Sequence, residues 1–347
     1  MTLRIPALAA TALLLVPALA QAGCPAPADG GEDRSTWLLR SDNDLYGRER
    51  QDQGYTNGFL VTYVSPNVER FDADCLPLPA RAAGRLLGWL VPEGEQNNLV
   101  IGFEHGTYTP TDGTRSDRIT DDRPYAGVAT MAVTLNARRG DRLGSTRLRL
   151  GMVGPSAQAE LGQDSLHQWF GRPRFKGWDN QLRDEVVVQL AHERAWRRDL
   201  ATTAGGWRWD AIGHGGAAVG NLSSYVNGGA ELRFGKHLPD DFGSNPLRLA
   251  GDNSAPGTRD DNVDAIRWHG FIALDARWVG NDIVLDGNTW KDSHSVDAKD
   301  TVADLVLGIA ITRGPWKFTA THVRRTREFE GQPELPTFGT LTFSRAF

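Results

Sequence analysis

Apolar and polar residues alternate with a period of two over much of this chain. Between Ile266 and Trp278 the even positions are Ile266, Trp268, Gly270, Ile272, Leu274, Ala276 and Trp278, while the odd ones include Arg267, His269, Asp275 and Arg277. Successive side chains of a strand point to opposite faces, so this stretch is a strand with one apolar and one polar face. The pattern recurs where Ala303, Leu305, Leu307, Ile309 and Ile311 alternate with Asp304 and Gly308. Leu148, Leu150 and Met152 alternate with Arg147 and Arg149, and Val226, Ala230, Leu232 and Phe234 with Asn227, Glu231 and Arg233. Strands are expected near 36–43, 55–65, 98–105, 126–137, 145–153, 184–196, 206–218, 224–235, 266–278, 301–312, 315–325 and 337–347.

Alternation alone fits a soluble sandwich, whose apolar face turns inward, as well as a membrane barrel, whose apolar face meets lipid. The tryptophans separate the two. If the first strand runs outward from the periplasm, Trp37, Trp196, Trp207, Trp209, Trp268 and Trp316 all fall at periplasmic strand ends, as an aromatic belt does. The chain also finishes on Phe347, with Leu341 and Phe343 at the same parity. An even strand number closes a barrel with both termini on one side. The expected fold is all-β: a closed antiparallel transmembrane β-barrel of about twelve strands with a short helix in an extracellular loop.

The N-terminus agrees with export. Arg4, an apolar run from Ile5 to Ala20, and Ala20-Gln21-Ala22 before Gly23 read as a signal peptide over 1–22, leaving 23–347 as a single barrel domain. The two cysteines, Cys24 and Cys75, fall on the periplasmic side, and an even count in an exported chain suggests a disulfide. Beyond the signal there is no apolar run of about 20 residues to make a spanning helix. A net charge of −5 without a basic stripe argues against nucleic acid as a partner.

This topology assigns sides to the loops, and chemistry gathers on the outer side. The loop from Gly154 to Leu182 is too long for a mere connector. It holds a helix-like run over 157–170 with one histidine, His167, which is either a polar residue on a surface helix or a base. Ser41-Asp42-Asn43-Asp44 ends the first strand and Tyr55-Thr56-Asn57-Gly58 begins the second, so the two groups face each other across a hairpin mouth. Their oxygens suit a hard cation such as calcium, or simply turn chemistry. Arg115, Arg118 and Arg123 in the next outer loop fork onto anionic lipid phosphates, or pair with Asp112, Asp117, Asp121 and Asp122. His294, among four aspartates in the loop 281–297, is a rival metal or base site. No G-x-S-x-G elbow, H-E-x-x-H pair or glycine-rich phosphate loop occurs. An ester hydrolase built on this chain would therefore use water activated by histidine, with a cation or fixed dipoles holding the oxyanion.

The ordered set SDNDLYG, GYTNG, YTPTD with DDRPYAG, VGPSA, LHQWFG with KGWDNQL, LDGNTWKDSHSVD and RTREFEG resembles the lipid A deacylase family of Gram-negative outer membranes, the 3'-O-deacylase LpxR group. The resemblance covers nearly the whole mature chain. It implies a twelve-stranded barrel in the cell outer membrane, embedded beside its partner, lipid A or lipopolysaccharide of the outer leaflet, with the active site between the barrel wall and a helix from an extracellular loop, and calcium-dependent hydrolytic release of the 3'-linked acyloxyacyl group. Carried over by position, the general base falls on His167, the asparagine and aspartate at the end of strand one, which would also hold Ca2+, on Asn43 and Asp44, the threonine of strand two on Thr56, and a polar lining residue on Gln163. A substrate-binding lysine of the family lies in the loop that here carries Arg115, Arg118 and Arg123. Two other readings stay open: a phospholipase of the same leaflet, and a non-catalytic barrel such as a porin or surface-binding protein.

Overall fold

The computed structural model describes residues 34–46, 54–74, 76, 78–91, 94–249 and 265–347. The expected signal peptide and the Cys24–Cys75 pair lie outside the described residues. Strands β1 (Thr36–Asn43), β2 (Gly54–Val64), β3 (Gln96–Thr109), β4 (Ala126–Arg139), β5 (Arg142–Val153) and β6 (Glu185–Thr202) form the first half of the wall. The second half comprises β7 (Trp207–Gly220), β8 (Ser223–Lys236), β9 (Arg267–Asp282), β10 (Thr301–Arg313), β11 (Trp316–Arg325) and β12 (Thr337–Ala346). Each strand pairs antiparallel with the next, and β12 pairs back to β1 from Thr36↔Ala346 to Asn43↔Gly339, which closes the barrel. Every strand expected from the alternation is present. Helices α1 (Leu78–Leu87), α2 (Ala159–Phe170) and α3 (Ile283–Asp286) sit in connections.

The parity of the pattern is resolved by burial. Leu150, Val188, Ile272, Leu274, Leu305, Leu307, Ile309 and Phe343 stay exposed on the outside of the wall, where lipid is their solvent. Trp196, Trp209, Trp268 and Trp316 are exposed at the strand ends on the side of the termini, and Trp207 stacks on Phe234 at 4.8 Å, so the expected belt forms there. Connections on that side include the tight turns 140–141 and 314–315, as periplasmic turns do.

The lumen is a packed ionic interior. Glu104 receives Arg149 at 2.8 Å and Arg40 at 3.5 Å; Asp304 receives Arg325 at 2.7 Å; His214 Nε2 lies 2.7 Å from Asp275 Oδ2. Each of these charges has a partner, as a low-dielectric interior demands. Both ends are stoppered. At the periplasmic end the segment 237–249, which looks like a polar loop in sequence, folds into the barrel. Glu231 accepts the Ser244 and Asn245 N–H groups at 2.8 and 3.0 Å, Arg248 reaches Glu193 at 3.0 Å, and Arg233 joins Asp210 at 2.6 Å and also pairs with Asp241. At the outer mouth Ile283, Val284 and Leu285 of α3 pack with Phe329 onto Ala126, Val128, Val153, Leu182 and Val187.

Candidate active site on the outer wall

The site is built on the outside of the barrel, not in its lumen. On β1, Arg40 and Asp42 face inward, 3.2 Å apart, and Tyr55 of β2 donates its hydroxyl to Asp42 at 2.7 Å. Alternation then turns the next residue of each strand, Asn43 and Thr56, to the outer face. A bulge between Tyr55 and Asn57 interrupts β2 at this height. Thr56 is 2 % exposed, and its hydroxyl lies 2.6 Å from that of Thr109 on β3. Asp44, 1 % exposed, begins the single 3-10 turn Asp44–Tyr46 above β1.

One register row links these positions to α2. Asn43 pairs with Asn57, Asn57 with Thr107, and Thr107 with Gly127. A Cβ on Gly127 would stand 2.5 Å from the Ala159 Cβ, so the glycine is what lets the start of α2 lie against β4. Further along, a Cβ on Gly162 would stand 3.9 Å from His105 of β3, whose Nε2 donates to the Ala157 carbonyl at 2.9 Å. The helix thus crosses from β4 over β3 toward β2. Its rise of about 1.5 Å per residue, against strands about 4.8 Å apart, carries His167 roughly one and a half strands beyond Gly162. Its last turn therefore lies toward the β1–β2 mouth, where the Asn43, Asp44 and Thr56 positions are.

Around His167 the loop is fixed by local bonds. Gly171 takes the left-handed conformation, φ 67°, and its N–H caps the His167 carbonyl. The chain then turns back, and His167 Nδ1 donates to the Pro173 carbonyl at 2.6 Å while Phe175 meets the imidazole edge-on at 5.1 Å. His167 is 6 % exposed. One turn earlier on the same helix, Gln163 is 1 % exposed, and neither its Oε1 nor its Nε2 has a hydrogen-bond partner in the protein. The root of the loop is pinned by Ser156, whose N–H and hydroxyl both donate to Asp184, and by Tyr125 against Trp178 at 4.9 Å.

A family model described as outer membrane protein LpxR matches residues 7–347. The chain belongs to the LpxR family. Among solved structures, LpxR from Salmonella typhimurium superposes with a TM-score of 0.71 at 16% identity, over 90% of this chain and 100% of that one, and so shares the barrel fold. The β domain of the Bordetella autotransporter BrkA gives 0.41 at 10% identity, over 92% of this chain and 100% of that one. A comparison with curated protein sequences finds no match. This LpxR-family protein is an outer membrane β-barrel.

The remaining expected site residues behave differently from one another. Arg115 and Arg118 are exposed in the loop after β3, with Arg115 paired to Asp117. Arg123 is not available to lipid phosphate: its guanidinium is 1 % exposed, beneath the outer loops, and bonds Glu328 at 3.1 Å. Glu328 also receives Arg325 at 3.0 Å. Burial pushes its carboxyl up, but Arg123 and Arg325 outweigh that and hold it below the usual carboxylate range. His294 donates from Nε2 to the Asp122 carbonyl at 2.7 Å and ties two loops together, while Asp282 caps α3 at the Val284 N–H. Both bonds brace the outer loops. Among the described residues no group of three or more His, Cys, Asp or Glu is arranged to hold a metal. Sequence reading passed over Thr107, 0 % exposed with no partner for its hydroxyl, in the middle of the register row. Its signal is faint, a threonine at outward parity on a strand rim.

Proposed function

We propose that this LpxR-family protein is an outer-membrane esterase that releases the 3'-linked acyloxyacyl group of lipid A, with His167 as the base that activates water. Support comes first from the His167–Pro173 hydrogen bond. A carbonyl oxygen only accepts, so in the neutral ring Nδ1 keeps the proton and Nε2 carries the lone pair. The Phe175 edge and the Pro173 carbonyl hold that ring orientation before substrate arrives.

The chemistry then follows from the residues. Water attacks the ester carbonyl as Nε2 takes its proton; the tetrahedral oxyanion collapses, the acyl C–O bond breaks, and the leaving sugar oxygen takes the proton from Nε2. The products are an acyloxyacyl acid and a free sugar hydroxyl. Gln163 supplies the amide donor for the oxyanion: an unpartnered buried amide is costly in a structural role and useful where charge develops. The donors near the hairpin mouth are all oxygens, from Asp44, Asn43, Thr56 and Thr109, which is the chemistry that hard Ca2+ takes. Asn43 and Asp44 would hold the ion with neutral oxygens around it, and when bound it would supply positive charge beside the ester carbonyl.

The position on the outer wall accounts for substrate access. A lipid can reach that wall sideways from the leaflet without leaving the membrane, and exposed Arg115 and Arg118 are suited to its phosphates. A lumen stoppered at both ends disfavours an open channel. Hydrolysis of lipid A in 18O-water tests the reaction. Label is expected in the carboxylate of the released acid and not in the sugar hydroxyl, with the release lost in His167→Asn. Label in the sugar, or undiminished release by the variant, contradicts the proposal.

A further inference from the structure

Helix α1 lies outside the barrel at the periplasmic end, in the connection between β2 and β3. Its inner face holds Ala83 and Leu87, and Leu87 joins Phe71, Leu99, Ile101 and Leu135 in one buried cluster. Leu99, Ile101 and Leu135 are at the outward parity of β3 and β4, because Val100, Gly102 and Thr134 line the lumen. The helix is therefore clamped onto the wall that elsewhere faces lipid. Gly84 makes the clamp tight: a Cβ there would stand 2.1 Å from the Phe71 carbonyl oxygen.

The opposite face is uncovered. Leu78 is 73% exposed, Leu86 63% and Trp89 77%. With Ala82, also exposed, they recur at intervals of four, four and three residues, which is one stripe of a helix continued into the following 3-10 turn. The indole N–H of Trp89 donates to the Leu86 carbonyl at 2.9 Å, so its ring has no unmet polar need. Arg85 is exposed beside Leu86. An apolar stripe of this size facing water would be a liability for a periplasmic surface.

Its surroundings say what covers it. Leu148 and Leu190, on the neighbouring strands β5 and β6, pack against the same cluster and continue outward into the lipid-facing wall. Trp37, one of the belt tryptophans, pairs across to Tyr63, and Tyr63 to Ile101 of the cluster. The stripe is thus continuous with the apolar belt and lies next to its aromatic rim.

We infer that α1 is an in-plane membrane anchor, whose Leu78–Leu86–Trp89 stripe is buried at the headgroup–acyl boundary of phospholipids in the periplasmic leaflet, with Arg85 reaching up to their phosphates. Helices with one apolar face and a basic flank bind membrane interfaces in this way. The anchor fixes how deep the β3–β4 wall sits, and the same two strands carry α2 at their other ends.

The test refolds wild type and Trp89→Phe in vesicles of phosphatidylethanolamine and phosphatidylglycerol that also contain phosphatidylcholine brominated on its acyl chains. The difference in emission between the two proteins isolates Trp89. Strong quenching of that difference by brominated lipid, with shallow bromines more effective than deep ones, and protection from aqueous acrylamide are expected. Quenching by acrylamide but not by brominated lipid would overturn the inference, since the stripe would then face water. Indifference to both quenchers would overturn it too, by placing Trp89 inside protein. Because the readout is local, the result stands whether or not the barrel hydrolyses lipid A.

Discussion

Replacing Gln163 by methionine separates a catalytic amide from a structural one by the sign of its effect on stability. Methionine keeps the length and most of the volume and removes both polar ends. The side chain is 1 % exposed, and neither Oε1 nor Nε2 bonds to protein. Leaving a buried amide unpaired costs about 1–3 kcal/mol, so Gln163→Met is expected to stabilise the folded protein by up to that amount. An amide that bonded its neighbours would give a loss of similar size instead. Over the same substitution the oxyanion loses one donor, which lowers kcat by about 10²–10³-fold. Stability is read from urea unfolding in phospholipid vesicles, and activity from release of acyl groups from lipid A. A Gln163→Met protein less stable by more than about 1 kcal/mol would show the amide to be bonded in the fold, and unchanged turnover would show that it takes no part in the reaction.

Other consequences can be checked alongside. Gly127→Ala forces a Cβ to within 2.5 Å of Ala159 Cβ and should push α2 off the wall, reducing acyl release while the barrel still migrates as a folded species in unheated gels. Arg233→Met leaves Asp210 and Asp241 buried without their main partner, a loss of about 3–5 kcal/mol, and by freeing the segment 237–249 should give ion conductance in planar bilayers where wild type is silent. Glu328 has a folded pKa below its unfolded value, so its contribution is present above the usual glutamate range, about 4.3, and is lost as pH falls through the depressed folded value. Amide protection in 326–336, taken relative to the intrinsic exchange rate at each pH, should therefore fall in acid well before that of the strands, and Glu328→Gln should abolish the pH step.

The strands were legible because lipid outside and ions inside enforce a strict period of two. Even the lumen charges Arg147, Arg149, Glu231 and Arg233 could be assigned to their face. The segment 237–249 was not legible. Its Asp, Gly and Pro content is that of a surface turn, and only the distant Glu193, Asp210 and Arg233 make a lumen site for it. Helix α1 escaped for a different reason: its apolar residues divide between the lipid side, Leu78 and Leu86, and the barrel side, Ala83 and Leu87, and only the packing onto β3 and β4 tells the two apart. At the site, motifs picked out Asn43, Asp44, Thr56, Gln163 and His167 as separate points. The family resemblance set them between the barrel wall and a loop helix; what it could not convey was the register that joins them, with Asn43, Asn57, Thr107 and Gly127 in one row. The misreading of Arg123 follows from the same limit, since its partner Glu328 is over two hundred positions away in sequence yet bonds it at 3.1 Å.

The proposed role of His167, driving ester hydrolysis of lipid A from the outer wall, stands or falls on the masses of the products. Mass spectrometry of lipid A after incubation with the refolded protein, wild type beside His167→Ala and each with calcium or chelator, tests it most directly. A mass loss equal to one 3'-acyloxyacyl group is expected for wild type with calcium and none in the other three samples. Equal loss from the His167→Ala sample, or lipid A unchanged in all four while phospholipid in the same mixture is cleaved, would contradict it.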